Sequence, residues 1–528
     1  MKAGQKLLFS FLALVSVVVS LFYAENLPLL DDYNLCLDTI SDWRNSVSFW
    51  ERLELIFSFQ NGHPIVTQKL LFLFDWLLFG EVNFIHFIFI NNLLHLAFLF
   101  TLYGIYSLNK TTSNSFTIIV LLVAVPVFTL NNWSSSFMHI ATLVTALLSL
   151  YFMALKGWRN FLVALLMAIL SSLSSGAGIL VFIAGIPILY LKYSKREIAI
   201  WFLVMAMISL YYVFGYFQGQ GFGVGTKVHL LTYPANFIIF FGSIFKPIYG
   251  DHHVWAALLG MLVLLAIFFV WRNYKSKLLN DPIIISGLLY ALLVALFATL
   301  MRSQFGLGAT TAYRYRFYQL LPLIFIFIAI IWFQREVYFN NYYGILLFAL
   351  LMYGFRMEDS LRELKRRNIQ LRMGASIYNA LQDDSELTAR NQPAAGKILK
   401  QARAEGIYDM DDVKLRSRMS NHKNERFDII VHFEVNEVTE THLYLKGRLH
   451  FTGSMPGMEI RVGYKDQNSW VHFPTAPIIS STDLLPLTND TFSFFLSGPD
   501  GNQDFSDYYI IGYHPLHGVL ASWKIELN

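Results

Sequence analysis

Between Leu7 and Phe355 the chain returns repeatedly to long apolar runs that carry few charges, more of them than any water-soluble core can absorb. A bilayer's hydrocarbon layer of about 30 Å is crossed by roughly 20 apolar residues in helical form. Runs at 6–24, 83–107, 115–131, 136–155, 159–174, 177–192, 197–217, 253–271, 282–301, 317–334 and 338–356 suit that length. They predict a polytopic α-helical membrane protein of about eleven transmembrane helices. Composition agrees, with 55% hydrophobic, 16% aromatic and only 14% charged residues. A formal net charge of +4, spread over short loops, provides no nucleic-acid surface. The single cysteine, Cys36, excludes an intrachain disulfide.

Orientation follows from the basic residues. With the N-terminus cytoplasmic, the inner loops carry Lys110, then Lys156 and Arg159, then Lys192, Lys195 and Arg196, then Arg272, Lys275 and Lys277, and finally Arg335. The first run reads as an uncleaved anchor, because Phe22 occupies the place where a cleavage site after Ala24 wants a small residue. Two apolar stretches, 66–80 and 233–248, break the pattern if they span; they read as interfacial or re-entrant helices on the outer side with polar residues such as Lys69 and Asp75 toward water. Segment 35–60 is amphipathic and belongs to the same outer-face loop, 25–82.

The membrane domain is expected over 1–357 and a helical linker over 358–425, with apolar spacing at Leu361, Leu364, Ile369, Leu371 and Ile377. From about Arg426 the period becomes two, as in HLYLKGRLHF, between Gly, Pro, Asn and Asp turns. Residues 426–528 therefore read as a β-sandwich of roughly 100 residues. The odd number of spans puts it on the outer, periplasmic side.

Chemistry is expected at the outer face, where the polar loops gather. Asp31 and Asp32 follow the first span, and Asn131, Asn132 and Ser134 to Ser136 follow the third. Ser171 to Gly178 (SSLSSGAG) ends the fifth, where small residues serve close helix packing as well as a ligand. The loop 302–316 (RSQFGLGATTAYRYR) sets Arg302, Arg314 and Arg316 on the side that the charge bias disfavours. Guanidinium groups kept there call for an anionic partner, and phosphate suits their fork. Asp251, His252 and His253 have a metal site's composition without a third spacing to complete it, and one DD pair supplies too few ligands, so no metal is assigned.

In their order, DDYNL (31–35), QNGHPIVTQKLL (60–71), NNLLHL (91–96), SSGAGIL (174–180) and RSQFGLGATTAYRYR (302–316) resemble a bacterial GT-C superfamily glycosyltransferase, over the membrane part of the chain. The family's acidic pair is commonly Asp-Glu and here is Asp-Asp; its N-E-H-R-like block here keeps His63 but has Gly62 and Pro64. The resemblance implies transfer of a sugar from a polyprenyl-phosphate lipid donor to a glycan or lipid-linked acceptor at the periplasmic face of the bacterial inner membrane. Asp31, with Asp32 second, would be the catalytic base; His63, Lys69, Arg302, Arg314 and Arg316 would bind substrate. Two alternatives stay open: an O-antigen polymerase or ligase of the same superfamily, and a non-enzymatic membrane transporter or scaffold.

The orientation is testable with topology reporters. A fusion after Ser360 should report from the periplasm and one after Lys275 from the cytoplasm; the reverse pattern would overturn the assignment.

Overall fold

In a computed structural model of the 528-residue chain, the described residues are 3–60, 62–109, 115–217, 230–250, 252–333, 335–381, 387, 392–410 and the strands between 416 and 524. They form two compact units, one of Met1–Ala24 and Thr39–Leu364, the other of Glu25–Asp38 and Lys365–Asn528.

The first unit begins with α1 (Ala3–Phe22), α2 (Thr39–Asn45), α3 (Phe49–Phe57), the strands β1 (Phe59–Gln60) and β2 (His63–Pro64), α4 (Val66–Phe79) and α5 (Phe84–Ser107). It continues through α6 (Phe116–Val123), α7 (Phe128–Asn131), α8 (Phe137–Leu155), α9 (Trp158–Ser174), α10 (Leu180–Ala184), α11 (Ile186–Lys192) and α12 (Lys195–Phe217). Then come α13 (Thr232–Gly242), α14 (Lys246–Tyr249), α15 (His253–Asn280), α16 (Pro282–Arg302), α17 (Arg316–Phe333) and α18 (Arg335–Leu381), whose last residues, from Lys365, belong to the second unit. Among the described residues six helices are long and apolar enough to cross a membrane: Phe84–Ser107, Ser134–Leu155, Lys195–Gly215, His253–Asn280, Pro282–Phe305 and Tyr313–Phe333. Leu8–Phe22, Trp158–Ser174 and Gly176–Lys192 are shorter apolar helices. The first unit is thus a multi-pass helical membrane protein, with α5, α8, α9, α16 and α17 sharing one apolar core.

The run expected as one helix over 115–131 is broken between α6 and α7. Pro126 is the cause: it offers no N–H to a helix and drives the residue before it out of helical conformation. Asn131 repairs part of the loss, its Oδ1 accepting from the Val127 N–H at 2.8 Å. The same amide donates to Asn92 Oδ1 at 3.2 Å and meets His95 Nδ1 at 3.1 Å. His95 Nε2 lies 2.9 Å from the Val123 carbonyl, which can only accept, so Nε2 carries the proton and Nδ1 takes the Asn131 N–H. Asn92 also donates to Ser20 Oγ, and Ser20 to Asn132 Oδ1 at 2.5 Å. The NNLLHL stretch is therefore the inner half of a buried network that holds the broken helix.

The polar residues of α4 do not face water as expected. Lys69 and Asp75 are buried, while Leu70, Phe74, Leu77, Leu78 and Phe79 are exposed. Lys69 Nζ donates to the carbonyls of Leu55 and Ser58 and to Ser58 Oγ at 2.7–2.9 Å, and Asp75 Oδ1 meets His86 Nδ1 at 2.8 Å. A helix bordered by lipid gains by turning its polar groups toward protein partners, the inverse of a helix floating on water.

In the second unit, a π-helix over Tyr33–Asp38 packs on α19 (Gln392–Ala404), and Tyr408 Oη donates to the Asn26 carbonyl at 2.7 Å. Among the described residues eight strands follow: β3 (Arg416–Arg418), β4 (Asp428–Val438), β5 (His442–Thr452), β6 (Glu459–Asp466), β7 (Ser469–Pro474), β8 (Asn489–Ser497), β9 (Tyr508–His514) and β10 (Gly518–Lys524). They make two antiparallel sheets, ordered β10-β9-β6-β7-β3 and β4-β5-β8.

Replacing Asn131 with Ala orphans the Val127 N–H and strips partners from Asn92 and His95, at about 1–3 kcal/mol for each buried group left unpaired. Thermal unfolding in detergent should show a loss well above that of the exposed Asn273→Ala; equal losses would mean that the network carries no stability.

Candidate functional site

The β1–β2 hairpin, α8, the end of α9, α16 and α17 bring polar groups to one cleft of the first unit, lined by His63, His139, Ser175, Arg302, Tyr315 and Tyr318 among others. His63 arrives on the hairpin of β1 and β2, where it pairs with Gln60. Gly62 precedes it at φ 75°, a left-handed conformation that a side chain would strain. Gly62 thus makes the tight turn of this hairpin, and Pro64 lies in its second strand. On the far side Gly176 leaves the room that the imidazole fills: a Cβ there would stand 2.9 Å from His63 Nδ1 and 3.2 Å from the Phe297 ring.

The SSLSSGAG stretch packs closely and also borders the cleft. A Cβ on Gly178 would overlap the Ser171 carbonyl, which marks close packing. Ser175 and Ala177 line the cleft. Tyr212 Oη donates to the Ser172 and Ser175 carbonyls at 2.6 and 3.1 Å, and Thr67 Oγ1 lies 2.7 Å from Ser174 Oγ, so the end of α9 is fixed from two directions.

The Asn131–Asn132 turn leads through Ser134–Ser136 into α8 and sets His139 in its first turn. His139 is 9% exposed, and its Nε2 has no hydrogen-bond partner among the described residues. Arg302, Arg314 and His63 all stand within electrostatic reach of it. Tyr318 Oη donates to the His139 carbonyl at 3.0 Å, tying α17 to α8.

The arginine loop hangs on Asn236 of α13. That buried amide donates to Ser303 Oγ and the Gly306 carbonyl, its Oδ1 accepts from the Gly308 N–H at 2.8 Å, and its carbonyl accepts from Thr310 Oγ1 at 2.9 Å. Gly306 and Gly308, at φ 100° and 80°, make the bends that the loop needs. Arg302 is positioned through Nε, which donates to Tyr315 Oη at 3.2 Å, and has no carboxylate partner among the described residues. Arg314 lies over the Tyr315 ring at 5.7 Å.

Of the five residues expected to bind substrate, the cleft gathers His63 and Arg302, with Arg314 beside them. Lys69 is 1% exposed and engaged in its three-acceptor clamp; burial pushes its pKa down to about 8, so at neutral pH it remains an ammonium with three donors for three acceptors. Arg316 faces a different cleft, where its Nη2 pairs with Asp359 at 3.7 Å. Tyr318, Asn236 and His139 were not foreseen, whereas Gly176 lies in the Ser171–Gly178 stretch. Of those three, only His139 left a trace in the sequence, as a lone histidine just inside an apolar helix after a polar run.

Asp31 and Asp32 belong to the second unit and are 7% and 1% exposed. Asp32 Oδ2 accepts from the Leu29 N–H at 2.9 Å. Leu30, between them in the chain, has φ 52°, a left-handed conformation that costs a branched residue about 1–3 kcal/mol. Burial, and next the charge of Asp32, push the Tyr33 phenol above its ordinary range. A strained residue followed by a π-helix is a combination that recurs at working sites. Among the described residues no group of three His, Cys, Asp or Glu comes together to hold a metal; Asp251 lies outside them.

No protein-family model, curated protein or solved structure matches this chain.

The contact between Gly176 and His63 can be read by a double-mutant cycle. Gly176→Ala should cost about 1–3 kcal/mol through overpacking, and much of that should return when His63→Ala is added. Additive losses on thermal unfolding would show that the two residues do not meet.

Proposed function

We propose that this chain is a membrane glycosyltransferase that moves a sugar from a polyprenyl-phosphate carrier to an envelope glycan or lipid-linked acceptor. One observation carries the reading: among the described residues, a cleft at the end of a membrane helix bundle holds a guanidinium without a carboxylate partner, Arg302, beside Arg314 and a buried histidine whose Nε2 has no hydrogen-bond partner. Positive charge held among apolar helices favours an anion, and a fork of N–H donors favours phosphate. The cleft is narrow, so we assign only the phosphate to it and leave the sugar outside.

The acceptor hydroxyl attacks the anomeric carbon, the bond from that carbon to the phosphate oxygen breaks, and the lipid phosphate leaves with the bonding pair. Arg302 and Arg314 stabilise the charge gathering on the departing phosphate. The hydroxyl proton goes to a base, the role that the resemblance gives to Asp31, with Asp32 as second carboxylate. The GT-C-like arrangement of about eleven spans, the pairing of the two sheets into a sandwich, and the periplasmic side of the bacterial inner membrane are parts of the same proposal. The exposed apolar helices and the basic loops between them support it.

Arg302→Lys and Arg314→Lys should each reduce transfer about tenfold or more at unchanged expression, on the order of 1.4 kcal/mol of transition-state stabilisation. Asp31→Asn should lower turnover by about 10² to 10⁴ while donor binding survives. If both lysine variants transfer normally, the phosphate is held elsewhere.

A further inference from the structure

The third arginine of the loop leads to a second cleft. Arg316 Nη1 donates to the Ile244 carbonyl at 3.3 Å, and its guanidinium lies 4.7 Å from the centre of the Tyr313 ring. Asp359, its partner, also accepts from Tyr313 Oη at 3.3 Å. One helical turn before Ser360 stands Arg356, 3% exposed, whose Nη1 donates to the Leu122 carbonyl at the end of α6. Ser360 in turn donates to the Pro126 carbonyl. Arg356 Nη2 is buried without a hydrogen-bond partner among the described residues, and both arginines line the cleft with Asp359 and the broken-helix turn at Pro126.

Two features say what this cleft is for. The first is charge: Arg316 and Arg356 against Asp359 leave one positive charge, while Glu363 on the wall and Lys246, over the Tyr313 ring at 5.1 Å, offset each other. The second is surroundings. Leu347, Phe348, Leu350, Leu351 and Phe355 of α18 are all exposed, and this apolar run ends where Arg356 begins. Acyl chains lying along such a face put the ester phosphate of their headgroup beside the arginine.

We infer that the Arg356–Arg316 cleft binds a singly charged phosphodiester, the headgroup phosphate of a bilayer phospholipid, distinct from the phosphate assigned to Arg302 and Arg314. One negative charge neutralises the cleft, and a phosphate oxygen supplies the acceptor that Nη2 lacks. The inference stands apart from the transferase reading, since it uses neither the His63–His139 cleft nor the acidic pair.

The test uses the full chain, purified in detergent and delipidated, then titrated with phosphatidylglycerol, with diacylglycerol as the phosphate-free counterpart, and with inorganic phosphate. Native mass spectrometry counts retained ligands and thermal unfolding reports their effect. One phosphatidylglycerol per chain should be retained and should raise the unfolding temperature, whereas diacylglycerol should do neither. Arg356→Lys keeps the charge but loses the fork, and should weaken retention about tenfold or more; Arg356→Met should abolish it. Where the Met variant fails to fold, the Lys variant decides. Inorganic phosphate displacing the lipid at equal affinity would keep the phosphate site and make its source soluble. Retention of neither ligand, or unchanged retention by Arg356→Lys, would overturn the inference and leave only a water at Nη2.

Discussion

Everything in the first unit depends on finding partners for polar atoms where water cannot supply them. In hydrocarbon surroundings an unpaired backbone or amide group costs several kcal/mol, so a broken helix survives only if something replaces its missing bonds. Asn131 does this at the break between α6 and α7, and Asn92, His95, Ser20 and Asn132 extend the repair. Lys69 does the same between α3 and α4. Among the described residues some buried groups nevertheless have no hydrogen-bond partner. His139 Nε2 and Arg356 Nη2 are two such groups, and each borders a cleft.

The arginine loop shows how one short sequence serves two places. Asn236 fixes its middle, and glycines at positive φ allow the bends, so Arg302 emerges on one side of the turn and Arg316 on another. Tyr315 and Tyr313, alternating with the arginines, hold the guanidinium planes: Arg302 bonds to the Tyr315 hydroxyl and Arg316 lies over the Tyr313 ring. A lysine would keep the charge at either position and lose the planar contacts that aim it.

Hydropathy and charge bias made much of this legible. The long spans are uniform runs whose fate depends on length and polarity alone, and β4 to β10 follow a period-two pattern that needs no tertiary information. The arginines drew notice because they sit against the orienting charge bias. What escaped was what depends on partners distant in sequence. Pro126 is plain in the sequence, yet the apolar run around it reads as one helix until Asn131 is seen to cap the break. The polar face of α4 pointed the wrong way because Lys69 and Asp75 were matched with water rather than with Ser58 and His86. Asn236 reaches across some seventy residues, which no local pattern encodes.

Helix dipoles add little to the field in the first cleft. The N-terminal ends of α8 and α17 contribute partial positive charge through His139 and Tyr318, but the C-terminal ends of α9 and α16 stand there too, at Ser175 and Arg302. Each end carries roughly half a unit charge, so two of each sign largely cancel. The field left over is that of the guanidinium groups. The backbone of this bundle therefore supplies position, while the positive charge at the cleft among the described residues comes from Arg302 and Arg314.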